Sequence, residues 1–325
     1  MRIVFFGTPE FAVPTLTALS HSRHHILGVV TQPDEPKGRG HRMSMSAVKV
    51  FALRENIQVL QPESVKDSTL LETLHQWKPD TCVVIAFGRI LPRQILDVPQ
   101  FGCVNLHGSL LPKYRGAAPI QWAICNGEIE TGVTSMLMDH GMDTGPILLK
   151  RPIAIRPNER AGELAHRLAD IGAEVILKTL EALETDTITP QPQNSDHASL
   201  APILKKQDGM IQWSNNASRI ANLVRGMDPW PGAHTYYGTE KWRLWDVKSV
   251  NYSPSSQSPG TVLDTTRNSI TVATGYGTIE IRELQPASRR RMTAHAYLSG
   301  HRVNSGSTLT STPLPLAANT QEETI

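Results

Sequence analysis

The chain has 325 residues, 39% of them apolar, which is enough to supply two hydrophobic cores. Its three cysteines (Cys82, Cys103 and Cys125) include no Cys-x-x-Cys pair, which argues against a disulfide framework or a zinc site and suits a reducing compartment. The net charge of +2 is unevenly spread: residues 201–302 hold 13 Lys and Arg against 7 Asp and Glu, and residues 1–200 hold 19 against 21, so the later part suits a polyanionic partner.

The amino-terminal run Met1-Arg2-Ile3-Val4-Phe5-Phe6-Gly7 reads as a strand ending in a glycine turn, without a signal-peptide pattern or an Arg-rich presequence. No apolar run approaches the roughly 20 residues needed to cross a bilayer, so a soluble cytoplasmic protein is expected. Short apolar or β-branched runs at 2–6, 26–31, 58–60, 81–86 and 103–107 alternate with helix-like stretches at 11–20, 47–56, 70–78 and 119–126. Such βα units imply an α/β fold with a doubly wound, mainly parallel, Rossmann-like sheet. Gly7-Thr8-Pro9 lacks the Gly-x-Gly-x-x-Gly spacing of a dinucleotide loop, so no nicotinamide is expected. Residues 33–44 form a long connection hinged by Gly38 and Gly40 and carrying Lys37, Arg39, His41 and Arg42. Long loops of this kind are disproportionately functional.

The run 103–107 carries the densest chemistry. Residues two apart on a strand point the same way, so Asn105 and His107 project together from its end. Asp143 sits in a second turn, Gly141-Met142-Asp143-Thr144-Gly145. An amide, an imidazole and a carboxylate supply an oxyanion donor, a base and a group to orient the base. In open α/β sheets ligands bind beyond the carboxyl ends of the strands, where His107 lies. Gly108 permits an unusual backbone angle after the base, and Pro112 stiffens the exit of the turn.

Strands are also expected at 134–138 and 147–155, then a long helix over 159–184. Residues 185–200 are rich in Thr, Pro, Gln, Asn and Ser and read as a linker. From 209 onward short strands predominate (210–213, 234–237, 242–250, 260–263, 269–274 and 278–284), with one helical stretch at 217–227, as in a small barrel. The expected organisation is a catalytic domain over 1–188, a linker over 189–206, a barrel over 207–304 and an unstructured tail over 305–325.

The stretch Asn105-Leu106-His107-Gly108-Ser109-Leu110-Leu111-Pro112-Lys113-Tyr114-Arg115-Gly116-Ala117-Ala118-Pro119-Ile120-Gln121-Trp122 resembles the core signature of the methionyl-tRNA formyltransferase family, among the 10-formyltetrahydrofolate-dependent transferases. Gly7-Thr8-Pro9-Glu10-Phe11, Thr31-Gln32-Pro33-Asp34, Gly38-Arg39-Gly40, Met138-Asp139-His140-Gly141-Met142-Asp143-Thr144-Gly145 and Pro229-Trp230-Pro231-Gly232-Ala233 follow in the family's order. Met45 departs from the proline usual in the family, and the ending after Leu298 is not the family's.

The resemblance implies formyl transfer from 10-formyltetrahydrofolate to the α-amino group of methionyl-initiator tRNA, without a metal or nicotinamide, by a monomer. It implies that Asn105, His107 and Asp143 are catalytic, with Asp143 fixing the His107 tautomer. Ser109, Leu110, Leu111, Pro112, Phe87, Gly88 and Asp139 would line the folate site. Lys37, Arg39, Arg42, Lys205 and Lys206 would contact tRNA, Arg39 as the main probe at the acceptor end, and the barrel would be OB-like. Two alternatives stand beside this: a formyltransferase for a small amine (glycinamide ribonucleotide or an amino-sugar nucleotide), and a non-catalytic RNA-binding protein on the same fold. The first would lack the basic later part, and the second would not need Asn105, His107 and Asp143 intact.

Overall fold

β-Branched and aromatic runs, which fit a pleated buried surface, become the strands of a first unit in a computed structural model that describes residues 1–37, 42–251, 253 and 256–313. That unit comprises Met1–Ile120, Ile129–Arg156 and Glu163–Ile203. Its elements in chain order are β1 (Arg2–Gly7), α1 (Val13–Ser20), β2 (His25–Val30), β3 (Glu35–Lys37), β4 (Arg42–Ser44), α2 (Ala47–Arg54), β5 (Val59–Leu60), α3 (Ser68–Trp77), β6 (Thr81–Ile85), α4 (Arg93–Leu96) and β7 (Cys103–His107). There follow α5 (Pro119–Cys125), which from Gln121 belongs to the second unit, then β8 (Glu130–Leu137), β9 (Ile147–Ala154) and α6 (Ala161–Glu184), which belongs to the first unit from Glu163. The main sheet runs β5-β2-β1-β6-β7-β8-β9. Its first five strands are parallel and β8 and β9 are antiparallel, so the sheet is mainly parallel, as expected.

The parallel strands are almost wholly buried: Ile3, Val4, Phe5, Phe6, Val83 and Val104 have no exposure. Sheets covered on both faces read as continuous apolar runs, which is why these strands are legible in the sequence. On one side of β7, Leu106 packs so closely on Gly172 of α6 that an added Cβ would lie 2.3 Å from its Cδ2. That contact fixes the strand's roll and leaves Asn105 and His107 for the opposite side.

Two expectations for this unit are corrected. Residues 33–44 are not simply a loop, because Glu35, Pro36 and Lys37 pair with Ser44, Met43 and Arg42 as the hairpin β3–β4. Arms of three residues are too short to display a period of two. The segment 189–206, expected as a linker, lies pinned along the first unit as far as Ile203. Gln191 and Ile147 exchange backbone hydrogen bonds at 2.8 Å, Arg115 N–H donates to Ser199, and Ala201 N–H donates to Arg115. Backbone pairing of this sort leaves no trace in side-chain composition.

The second unit takes in Gln121–Glu128, Pro157–Gly162 and the chain from Leu204. Its elements are α7 (Ala217–Gly226), β10 (Ala233–Tyr237), β11 (Glu240–Asn251), β12 (Val262–Thr265), β13 (Ile270–Ala273), β14 (Thr278–Pro286), β15 (Met292–Thr293), α8 (Ala294–Leu298) and β16 (Leu309–Thr310). The antiparallel strands run β12-β13-β14-β11-β10-β16, with β15 on β14. Trp213, Trp242, Ile220, Val224 and Tyr297 fill the interior. A side chain of this size gains about 1.5–3 kcal/mol by burial. The stretch 210–213 is not a strand; it makes a single bridge, Met210 to His234. Trp230, in the run 229–233, is 52% exposed.

The tail expected over 305–325 is structured as far as residue 313. Gly306 N–H donates to Val262, Leu309 N–H donates to Gly260, and Leu309 is 1% exposed. The stretch 306–310 thereby joins the β12 edge to β10 and curls the sheet towards closure. Residues 314–325 of the expected tail lie outside the described residues.

Candidate active site

Asn105 and His107 occupy the middle and the end of β7, paired across to Met136 and Thr134 of β8. Both are buried, at 9% and 6% exposure. His107 Nε2 lies 2.8 Å from the Tyr114 carbonyl oxygen. A carbonyl only accepts, so Nε2 carries the hydrogen and Nδ1 is the open ring atom. Nδ1 faces Asp143 Oδ2 at 3.6 Å. That separation is beyond a hydrogen bond, so the carboxylate acts on the ring by charge. The tautomer is thus held by Tyr114 rather than by Asp143, which corrects the orienting role expected for the carboxylate. Asp143 Oδ2 accepts instead from the Gly116 N–H at 2.8 Å. The Asn105 amide makes no hydrogen bond to any described residue.

The turn after the base is tightly tied. The Ser109 hydroxyl donates to the Lys113 carbonyl at 2.6 Å, and the Thr134 hydroxyl donates to the Ser109 carbonyl while accepting from Leu111 N–H. Tyr114 has φ +61, which turns its carbonyl towards the imidazole. Asp143 itself has φ +54, a left-handed angle that aspartate tolerates better than most residues. Asp139 accepts from the Thr144 hydroxyl and from Gly141 N–H, so it braces the turn that presents Asp143.

The residues expected to line a folate site divide into two groups. Leu111 is fully buried against Met136 and Ile147, and the Phe87 ring stands edge-on to Phe6 in the core, 2% exposed. Their apolar side chains pack inward, so they shape the site from beneath and do not offer it a surface. Ser109 is buried and its hydroxyl is engaged. Leu110 and Pro112 are half-buried, and Gly88 is exposed with φ +81. The turn bearing Gly88 follows β6, the parallel neighbour of β7, so it lies at the same end of the sheet. It is anchored through the Phe87 carbonyl, which accepts from Gln32 Nε2 and Thr8 Oγ1. The exposed Gly88 turn and the Asn105 amide thus belong to neighbouring strands of the sheet, β6 and β7.

Tyr114, Arg115, Gly116, Thr134 and Gln193 build the site without standing out as candidates in the sequence. A Gly after a basic residue hints at Gly116, whose φ is +121. Nothing in the polar run around Gln193 distinguishes it, except that it is half-buried where its neighbours are exposed.

Of the residues expected at tRNA, Lys37 and Arg42 are register partners in the hairpin, and Arg39 lies outside the described residues. Lys205 and Lys206 belong to the second unit and are exposed. The hairpin's base is clasped. Asp34 accepts from Lys49 Nζ at 2.7 Å and from Gln61 Nε2 at 2.8 Å, and Thr31 and Ser46 share a hydroxyl bond. The Lys49 and Gln61 bonds hold the Asp34 carboxyl below its usual range. A depressed folded value means the clasp contributes fully above the ordinary aspartate pKa of about 3.9 and fades only as pH falls through the lower folded value. The melting difference between the native chain and Asp34→Asn should therefore be constant above that pH and close below it. A difference that closes at neutral pH would show the clasp to be idle.

Among the described residues no cluster of His, Cys, Asp and Glu suits a metal, all three cysteines are free and buried, and no helix is long and apolar enough to cross a membrane. Burial pushes the Cys125 thiol up to about 12.

The family described as Formyl transferase matches residues 1–180, and its C-terminal domain matches residues 203–302. The methionyl-tRNA formyltransferase of Acetivibrio thermocellus is 49% identical over 309 residues, covering 95% of this chain and 99% of that protein. Its counterpart from Caldanaerobacter subterraneus subsp. tengcongensis is 47% identical, covering 95% and 100%. Among solved structures, the N-formyltransferase of Helicobacter canadensis in complex with folinic acid and dTDP-3-aminofucose superposes with a TM-score of 0.64. It covers 86% of this chain and 98% of that one at 19% identity, a likeness of fold.

Proposed function

The chain belongs to the formyl transferase family, and on that premise we propose that it transfers the formyl group of 10-formyltetrahydrofolate to the α-amino group of methionyl-initiator tRNA, giving N-formylmethionyl-tRNA for translation initiation. The observation that carries this reading is the His107 ring set between the Tyr114 carbonyl and the Asp143 carboxylate, with the Asn105 amide open on the same strand face. When bound, the folate supplies the formyl carbon and a nitrogen leaving group. Asn105 donates its amide N–H to the formyl oxygen as negative charge gathers there. His107 Nδ1 accepts the proton shed by the attacking amine and returns it to the leaving nitrogen. Asp143 sets a carboxylate 3.6 Å from the nitrogen that takes the proton. Gly88, Leu110 and Pro112 meet the folate, while Phe87, Ser109, Leu111 and Asp139 hold the surfaces that do so.

Acceptor choice rests on the near full-length identity to two methionyl-tRNA formyltransferases, against a fold likeness alone to an amino-sugar enzyme. Lys37 and Arg42 of the hairpin, Arg39 between them in the sequence, and Lys205 and Lys206 supply cations for phosphates, contacts that give salt-dependent affinity. The reading places the protein in the cytoplasm with the translation machinery.

The deciding experiment supplies 10-formyltetrahydrofolate with charged initiator tRNA, charged elongator tRNA or glycinamide ribonucleotide and follows formyl incorporation. Initiator methionyl-tRNA should be formylated far faster than the other two. Preference for the small amine, or formate release without any acceptor, would sink the proposal.

A further inference from the structure

We propose that Gln193 is a positioning residue for this reaction: its side-chain amide locks the turn that carries Asp143 into the conformation facing His107. The inference rests on the formyl-transfer reading.

A primary amide has two N–H donors and one oxygen with two lone pairs. Gln193 uses all of them. Nε2 donates to the carbonyls of Asp143 and Gly145, each at 2.8 Å. Oε1 accepts from Arg115 Nε at 3.0 Å and Nη2 at 2.8 Å. Two bonds from a planar fork fix the amide's orientation, so the donors have one direction in which to point. Arg115 is 8% exposed, and among the described residues its guanidinium has no carboxylate partner. The next residue, Gly116, gives its N–H to Asp143 Oδ2. A closed circuit results: Arg115 orients Gln193, Gln193 holds the Asp143 and Gly145 backbone, and Asp143 returns through its carboxylate to the residue beside Arg115.

The circuit is needed because Asp143 sits at φ +54 in a turn that is itself exposed at Gly141, Met142 and Thr144. A non-glycine residue at such an angle persists only where its surroundings over-determine it. Asp139 braces one side of the turn through Thr144 and Gly141. Gln193 braces the other side, from a segment distant in sequence.

The test uses Gln193→Glu and Gln193→Met in the full chain. Gln193→Glu keeps a partner for Arg115 but turns both donors into acceptors. Gln193→Met keeps the length and offers neither. Three readouts are taken: turnover with methionyl-tRNA, folate affinity by equilibrium dialysis, and exchange of the Gly116 amide hydrogen. Turnover should fall roughly 10- to 100-fold, the scale of a misplaced catalytic group, with folate affinity unchanged. Gly116 exchange should quicken by about tenfold or more as its bond to Asp143 loosens. In an Asp143→Asn background either substitution should cost less than about threefold further, since groups acting as a unit are not additive. Native turnover with a slow Gly116 amide in both variants would overturn the proposal. So would a full additional loss on top of Asp143→Asn, the mark of a merely structural role. Gly116 exchange does not depend on the acceptor, so a native chain inert towards methionyl-tRNA sinks the functional reading and leaves this test standing.

Discussion

His107→Ala should lower turnover by roughly 100- to 10,000-fold, the range that a positioned general base supplies, while folate still binds. The loss is assigned to Nδ1. Nε2 is spent on the Tyr114 carbonyl at 2.8 Å, so only the other nitrogen can take a proton. Its surroundings leave it open for proton transfer, since Asp143 lies 3.6 Å away, too far to occupy Nδ1 with a hydrogen bond. His107→Gln separates this from packing. Its amide can still donate towards Tyr114 and fill most of the volume, but it cannot carry a proton at pH 7. It should melt like the native chain and be as slow as His107→Ala. A His107→Gln enzyme with near-normal turnover would remove the imidazole from proton transfer and leave it as a strut beneath the turn.

The part of this site legible in the sequence is the part encoded by local rules. Asn105 and His107 follow from strand periodicity, and Asp143 between glycines follows from the few residue types that accept left-handed angles. The parallel sheet is equally legible, since strands buried on both faces are apolar runs. What stays hidden depends on pairing across sequence distance. Gln193 lies in a polar run whose composition matches a linker, yet its amide reaches the Asp143 turn and Arg115. β16 has the sequence Leu309-Thr310, too short for any periodic signal, and exists because the chain before it meets Gly260 and Val262. The group that fixes the His107 tautomer is hidden for a related reason. Side chains advertise themselves in a sequence, whereas a backbone carbonyl such as Tyr114's is present at every position and is placed only by the fold.

Asn105→Ala should cost roughly 100- to 1,000-fold in turnover, the loss seen when one oxyanion donor is removed. The backbone gives good reason to expect the chemistry alone to change. β7 is flanked by β6 and β8, with Val84 and Met136 as the register partners of Asn105, so the truncation leaves a strand held on both sides. Because the amide bonds to no described residue, removing it strands no buried partner, and stability should hardly move. The split between constants then tells when the amide acts. A donor aimed at the developing oxyanion lowers kcat and kcat/KM together, whereas one that grips the ground-state carbonyl raises KM and spares kcat. Asn105→Asp sharpens the distinction: it is close in size but carries negative charge where negative charge must form, so it should be at least as slow as the alanine variant. An Asn105→Ala enzyme with native kcat and a raised KM would make the amide a folate-binding group and leave the oxyanion to some other donor in the turn.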